Sequence, residues 1–181
     1  MRARQTLPLR YLLSDQRNDA VLESAIARLP AGSGFVLRHY HLSPRERAAR
    51  LAELRPALRS GGHMLIVARD AQLARSVGAD GLYGDARTLA RCDLPLRFAT
   101  AHDGGEIQAA VEAGADAIML SPVFSTRSHD DARMLGPVGF GVLAQQSPVP
   151  VIALGGMTPA RAREMGNPRW AAIDGLSELP A

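Results

Sequence analysis

The chain has 181 residues, 46% hydrophobic and 4% aromatic, and carries 21 basic and 18 acidic side chains for a formal net charge of +3. That length is enough to bury a substantial core, so one domain over residues 1–181 is expected. Scattered charge and few aromatic rings argue against a nucleic-acid partner, and because every basic residue is arginine, lysine Schiff-base chemistry is excluded, with it class I aldolases and enzymes holding pyridoxal phosphate on an internal lysine.

Pro8–Ser14 reads as a short apolar strand ending in the polar loop Asp15–Asn18. Val21, Leu22, Ala25, Ile26 and Leu29 recur at helical spacing within Ala20–Leu29, and Pro30–Gly34 breaks that helix. Phe35–Tyr40 is strand two, where alternation puts Val36, Arg38 and Tyr40 on one face. Ser43 and Pro44 open a helix reaching Leu58, and Gly61-Gly62 separates it from strand three, His63–Ala68. Asp70 caps a helix to Val77, and Gly78 closes it ahead of strand four, Gly81–Gly84. A short helix, Asp85–Arg91, leads to strand five, Leu96–Ala101. The helix Gly105–Ala113 precedes strand six, Ala117–Leu120, and the helix Val138–Gln145 precedes strand seven, Val149–Leu154. Thr158 and Pro159 cap a helix to Met165, and Trp170–Ile173 is strand eight.

Eight strands alternating with about seven helices predict a (β/α)8 TIM barrel. It is compact, and its last helix is missing or vestigial, because strand eight is followed only by Gly175–Ala181. A missing helix predicts an apolar flank on strands eight and one, which a second subunit would cover as a homodimer. No apolar run approaches the ~20 residues of a membrane span. The basic start, Met1–Gln5, is not followed by a signal-peptide core. The lone Cys92 has no internal partner, so a cytoplasmic protein away from membranes is expected.

Barrel proteins place ligands at the carboxyl ends of their strands. Two loops there are chemically distinctive. Gly155-Gly156, followed by Thr158-Pro159, lets backbone N–H groups approach an anion such as phosphate, or else simply makes a tight turn. Ser125, Thr126, Ser128 and His129 bring hydroxyl groups and an imidazole, with Arg127 or Arg133 available for a bidentate contact. Asp174, in the loop after strand eight, would repel a phosphate there. His102 is an acid/base candidate or a structural residue. His39 and His41 have no carboxylate near them in sequence to complete a metal site. Asp15, Asp70, Asp85 and Asp103 stand at strand ends where Mg²⁺ and a diphosphate would meet, and spacing selects none of them.

The order of these motifs resembles the thiamine phosphate synthase/TenI family. Gly114-Ala115-Asp116 leading through Ser121-Pro122-Val123-Phe124-Ser125-Thr126-Arg127-Ser128-His129 is similar to the family's GADY…GPIFPTxTK. Pro150-Val151-Ile152-Ala153-Leu154-Gly155-Gly156-Met157 resembles PVVAIGGI, Val77-Gly78-Ala79-Asp80-Gly81-Leu82 resembles LGADGVH, and Tyr11-Leu12-Leu13-Ser14-Asp15 resembles YLVTD. The resemblance covers Leu9 to about Leu176. It implies thiamine metabolism and a phosphorylated thiazole- or pyrimidine-type ligand. In the family's synthases, hydroxymethylpyrimidine diphosphate is joined to thiazole phosphate with Mg²⁺, giving thiamine phosphate and pyrophosphate.

Carried over position by position, the resemblance implies Arg38, Arg69, Thr100 and His129 around the reacting groups. Thr126, Ser128, Gly136, Gly155 and Gly156 would hold substrate and phosphate, and Asp85 would be the metal ligand. Several positions depart from the family pattern. Val36 and Tyr40 replace the Gln and Lys of QLREK, the Asn-Asp pair after strand three falls on Ala68-Arg69, and His129 stands for a Lys. Asp174 replaces the Ser of the last phosphate loop, and Pro122 takes the place of the His used by the family's thiazole tautomerases. These departures leave two alternatives open: a non-catalytic ligand-binding or regulatory barrel, and an enzyme that uses His102 or His129 on a related small heterocycle.

Overall fold

Successive side chains of a strand point to opposite faces, and most strands of this chain are apolar on both. Such strands need cover on each side, which a parallel barrel wrapped by helices provides. The computed structural model describes residues 6–126, 134–167 and 169–177. Its strands are β1 (Arg10–Leu13), β2 (Gly34–Leu37), β3 (Met64–Ala68), β4 (Gly81–Gly84), β5 (Leu96–Ala101), β6 (Ala117–Leu120), β7 (Val151–Ala153) and β8 (Trp170–Ala172). They pair in parallel in sequence order, and β8 returns to β1, closing the TIM barrel.

One set of side chains fills the interior: Tyr11 and Leu13 of β1, Val36 of β2, Ile66 of β3, Phe98 of β5, Met119 of β6 and Ile152 of β7. Tyr11 and Phe98 meet edge to face, with ring centres 5.8 Å apart. The alternate set, including Leu12, Phe35, Val67, Leu82, Ile118 and Trp170, faces outward into the layer under the helices. Burying each large aliphatic or aromatic side chain contributes ~1.5–3 kcal/mol, so this double layer is the main source of the barrel's stability.

A 3-10 helix, Gln16–Val21, runs into α1 (Leu22–Arg28). Then come α2 (Pro44–Ser60), α3 (Ala71–Ser76), α4 (Ala86–Leu89), α5 (Gly104–Glu112), α6 (Gly136–Ala144), α7 (Pro159–Glu164) and the single turn α8 (Asp174–Ser177). The four strand-end aspartates are all N-caps. Asp15 caps the 3-10 helix, Asp70 caps α3, Asp85 caps α4 and Asp103 caps α5, each accepting from a backbone N–H of the first turn. Replacing such a cap with alanine costs ~1 kcal/mol. Ser43 and Glu46 form a reciprocal capping box at the start of α2.

Two expectations are corrected. Strand two stops at Leu37 rather than Tyr40, because His39 adopts a positive φ of 33° and turns the chain out of the sheet. The β8–β1 flank is largely covered: Leu176, Trp170 and Leu12 are buried in one cluster, while Leu9, just before β1, stays exposed. The other large exposed apolar side chains are Val21, Tyr40, Met134 and, on α6, Val138 and Val142. Among the described residues, no helix is long and apolar enough to cross a membrane.

Candidate functional site

A cavity of about 650 Å³ opens at the carboxyl ends of the strands, walled by the loops that follow them. Four arginines line it, Arg17, Arg38, Arg69 and Arg161, against two aspartates, Asp15 and Asp174. The balance is cationic, so the cavity raises the local concentration of anions.

At the β2–β3 corner, Arg38 and Arg69 each bring a guanidinium carbon within 5.0 Å of the centre of the Tyr40 ring. Their backbones are held from beneath. Arg47 of α2 is buried, and its Nη2 donates to the carbonyls of Leu37 and Ala68, both at 2.9 Å. These are the residues just before Arg38 and Arg69. Burial lowers the Arg47 pKa, with Asp70 opposing, but a guanidinium stays charged at neutral pH. The Arg38 N–H donates to Ser14 Oγ at 2.8 Å, and that oxygen lies 2.8 Å from His39 Nδ1. The other ring nitrogen, Nε2, lies 2.9 Å from Asp19, which also accepts from Arg50. Burial holds His39 below its ordinary pKa, with the Asp19 bond opposing. A neutral ring suits this chain of bonds: Ser14 donates to Nδ1, and Nε2–H donates to Asp19. The histidine therefore has a carboxylate partner after all, one that sequence proximity did not reveal.

The cavity floor is formed by Tyr83, which points inward from β4, and Thr100 of β5. Burial pushes the Tyr83 phenol up, and a hydrogen bond with Thr100 opposes that shift. His102 lies at the rim, with Nδ1 2.8 Å from Glu106 in the first turn of α5.

The β6–β7 side holds Ser121, Pro122, Ser125, Thr126, Gly155, Gly156 and Thr158. A Cβ on Gly155 would collide with Pro122, and one on Gly156 with the Ser125 carbonyl and Phe124. Close packing of two loops therefore demands glycine here, whatever the ligand. The N–H groups of both glycines make no hydrogen bond among the described residues and remain available to an acceptor. Arg161 stacks 4.5 Å from the Phe124 ring centre and donates to the Gly156 carbonyl.

Of the residues singled out by sequence, Arg38, Arg69, Thr100, Thr126, Gly155 and Gly156 line this cavity together. Gly136 and Asp85 are not among its lining residues. Gly136 opens α6 with a φ of 65°, and its N–H donates to the Val123 carbonyl. Asp85 accepts from the Thr88 N–H at 2.8 Å; hydrogen bonding from the Thr88 side chain first, then from that N–H, holds its carboxyl below the usual range, with smaller help from Arg69. Ser128, His129, Arg127 and Arg133 lie outside the described residues. Sequence reasoning missed Arg17, Tyr83, Ser121 and Arg161. Tyr83 was legible as an inward position of a short strand. Arg17 and Arg161 sit in first turns after strands, where a side chain can fold back over the mouth.

Fold and site define a (β/α)8 barrel with a cationic ligand cavity at the face where such barrels bind ligands. Within that class, residues 10–173 match the family model for thiamine monophosphate synthase, and the chain belongs to that family, one of thiamine biosynthesis. The thiamine-phosphate synthase of Geobacillus thermodenitrificans is 29% identical, over 98% of this chain and 85% of that protein. That of Methanoculleus marisnigri is 34% identical, over 86% of this chain and 78% of that protein. Among solved structures, the thiamine phosphate pyrophosphorylase of Pyrococcus furiosus shares the fold, with a TM-score of 0.77 at 22% identity, covering 94% of this chain and 87% of that one.

The family implies Mg²⁺, a cation that takes oxygen ligands in near-octahedral geometry. The cavity does not present such a set. Its aspartates among the described residues, Asp15 and Asp174, each lie within 4.0 Å of an arginine, and Arg69 brings a further positive charge to the lining. Among the described residues no group of three or more His, Cys, Asp or Glu could hold a metal ion.

Proposed function

We propose that the barrel mouth binds a phosphorylated thiazole- or pyrimidine-type heterocycle and that the protein acts in the thiamine phosphate synthase reaction. The observation that carries this reading is the cavity itself. It pairs glycine N–H groups that have no hydrogen-bond partner among the described residues with two guanidiniums on the other side, across a floor of Tyr83 and Thr100. In that reaction a pyrimidine diphosphate loses pyrophosphate as its methylene carbon bonds to the thiazole nitrogen. Arg38 and Arg69 would take up charge on the departing diphosphate, while the Gly155-Gly156 loop, Thr126 and residues Ser128 and His129 hold the thiazole phosphate. Self-association as a homodimer belongs to the same proposal. The exposed Val138 and Val142 favour it, and the mass in sedimentation equilibrium tests it.

A second reading is a non-catalytic binder on the same scaffold, favoured by Arg69 and Asp174 at positions where the synthases carry other chemistry. Purified protein with both synthase substrates, with and without Mg²⁺, separates the two. Thiamine phosphate above the uncatalysed background supports the enzyme. Its absence, with thiazole phosphate still giving a calorimetric binding isotherm, supports the binder.

A further inference from the structure

We propose that the β2–β3 corner of the cavity is a seat for a diphosphate group that needs no divalent cation, Arg38 and Arg69 supplying the positive charge themselves. The choice of diphosphate rests on the reading under Proposed function; the independence from metal rests on the corner's own side chains.

A hard cation needs oxygen donors. What reaches this corner is two guanidiniums and a phenol. Asp85 is spent as a helix cap, and the Asp15 carboxylate lies 3.6 Å from Arg38. The chain has no lysine to serve as a point charge, so phosphate recognition falls to planar forks that bind two oxygens at once.

The forks keep donors open. Among the described residues Arg38 Nε is buried without a hydrogen-bond partner, while its Nη2 lies 3.6 Å from Asp15, and the Arg69 guanidinium makes no hydrogen bond or ion pair. Two like charges about one ring repel, and the single Asp15 carboxylate offsets that repulsion only in part. The fold nevertheless fixes them there. His39 and Arg69 are the non-glycine residues with positive φ among the described residues, at 33° and 61°, and both lie at this corner. Left-handed backbone at such residues costs on the order of 1–3 kcal/mol. The surrounding bonds enforce it: the Arg69 N–H donates to the Tyr83 carbonyl at 2.8 Å, and Arg47 grips Ala68. The fold bears that strain to hold two cations at one corner of a ligand cavity, and a multiply charged anion would relieve their repulsion.

The probe is inorganic pyrophosphate, titrated calorimetrically into the protein in EDTA and, separately, in excess Mg²⁺. Binding in EDTA should be at least as tight as in Mg²⁺, because the cation neutralises charge that the arginines read. Arg69→Gly should weaken binding at least ~10-fold, the loss of a charge-assisted contact. Glycine suits the positive φ at this position, so this variant should unfold no earlier than the parent and a folding defect cannot imitate the result. Arg38→Ala should weaken binding similarly. Pyrophosphate binding that requires Mg²⁺, an Arg69→Gly variant that binds like the parent, or no pyrophosphate binding in either buffer would each overturn the seat. Thiazole phosphate, titrated in parallel, distinguishes the failures. If it binds while pyrophosphate does not, the seat alone falls; if neither binds, the ligand reading falls with it.

Discussion

A Cβ on Gly175 would overlap the carbonyl oxygen of Met157. The loops after β7 and β8 therefore touch backbone to backbone, and this contact closes one wall of the cavity. Gly175→Ala must push them apart. Overpacking of this kind costs ~1–3 kcal/mol, so the urea midpoint should fall and thiazole phosphate should bind more weakly. An unchanged midpoint would mean that the loops yield freely.

Asp174 lies on the same wall, 3.8 Å from Arg17. Asp174→Ser removes a negative charge from the cavity, while Arg17 keeps its ion pair with Asp15 at 3.3 Å. At moderate effective dielectric a unit charge about 8 Å from a phosphate is worth ~1 kcal/mol. Thiazole phosphate affinity should therefore rise roughly 3- to 10-fold in dilute buffer, and the gain should shrink in high salt. Calorimetry at two ionic strengths checks both parts.

Arg47→Met should act at a distance. It leaves the buried carbonyls of Leu37 and Ala68 without their donor, a cost of ~1–3 kcal/mol for each acceptor left unsatisfied. Beyond that loss, pyrophosphate affinity should drop while thiazole phosphate affinity holds, because only the β2–β3 corner loses its anchor. Equal loss for both ligands would reduce Arg47 to a general stabiliser.

Burial holds His39 and His63 below their ordinary value of 6.5. For each, the unfolded chain binds the proton more readily than the native fold. Their contribution to stability is thus complete above about pH 6.5 and is lost as pH falls from there through the lowered folded values. Unfolding midpoints should decline across that range. His39→Asn should flatten part of the slope. A decline confined to pH below about 4 would assign it to carboxylates such as Asp19 instead.

Most of the fold was legible because each short strand is a clean apolar run. The bounds of β4, β5 and β6 fall where the pattern put them. β7 keeps Val151–Ala153 of the expected Val149–Leu154, losing Val149 and Pro150 at its start and Leu154 at its end. β2 is shorter because a positive φ at a histidine has no signature in local composition. The site was harder to read. Arg38 and Tyr40 were placed together on one strand face; they do meet in the cavity, but beyond the strand's end and around a turn. Asp85 entered as a metal ligand through the resemblance alone; aspartate at a strand end suits both a metal and a helix cap, and in the fold Asp85 caps α4. The Ser14–His39–Asp19 chain joins residues far apart in sequence, so no spacing rule could assemble it.

The four capping aspartates have one more consequence. Helices begin on the same face of the barrel that opens to the ligand, so each of these four caps adds an acidic group on that side, whereas Ser43 and Thr158 cap α2 and α7 without charge. Where aspartate does the capping, that acidity comes with the fold. The sign of the field in the mouth is then left to the arginines. Exchanging one of them changes which charges the barrel admits without touching how its helices start, so ligand preference in this chain can drift while the architecture stays still.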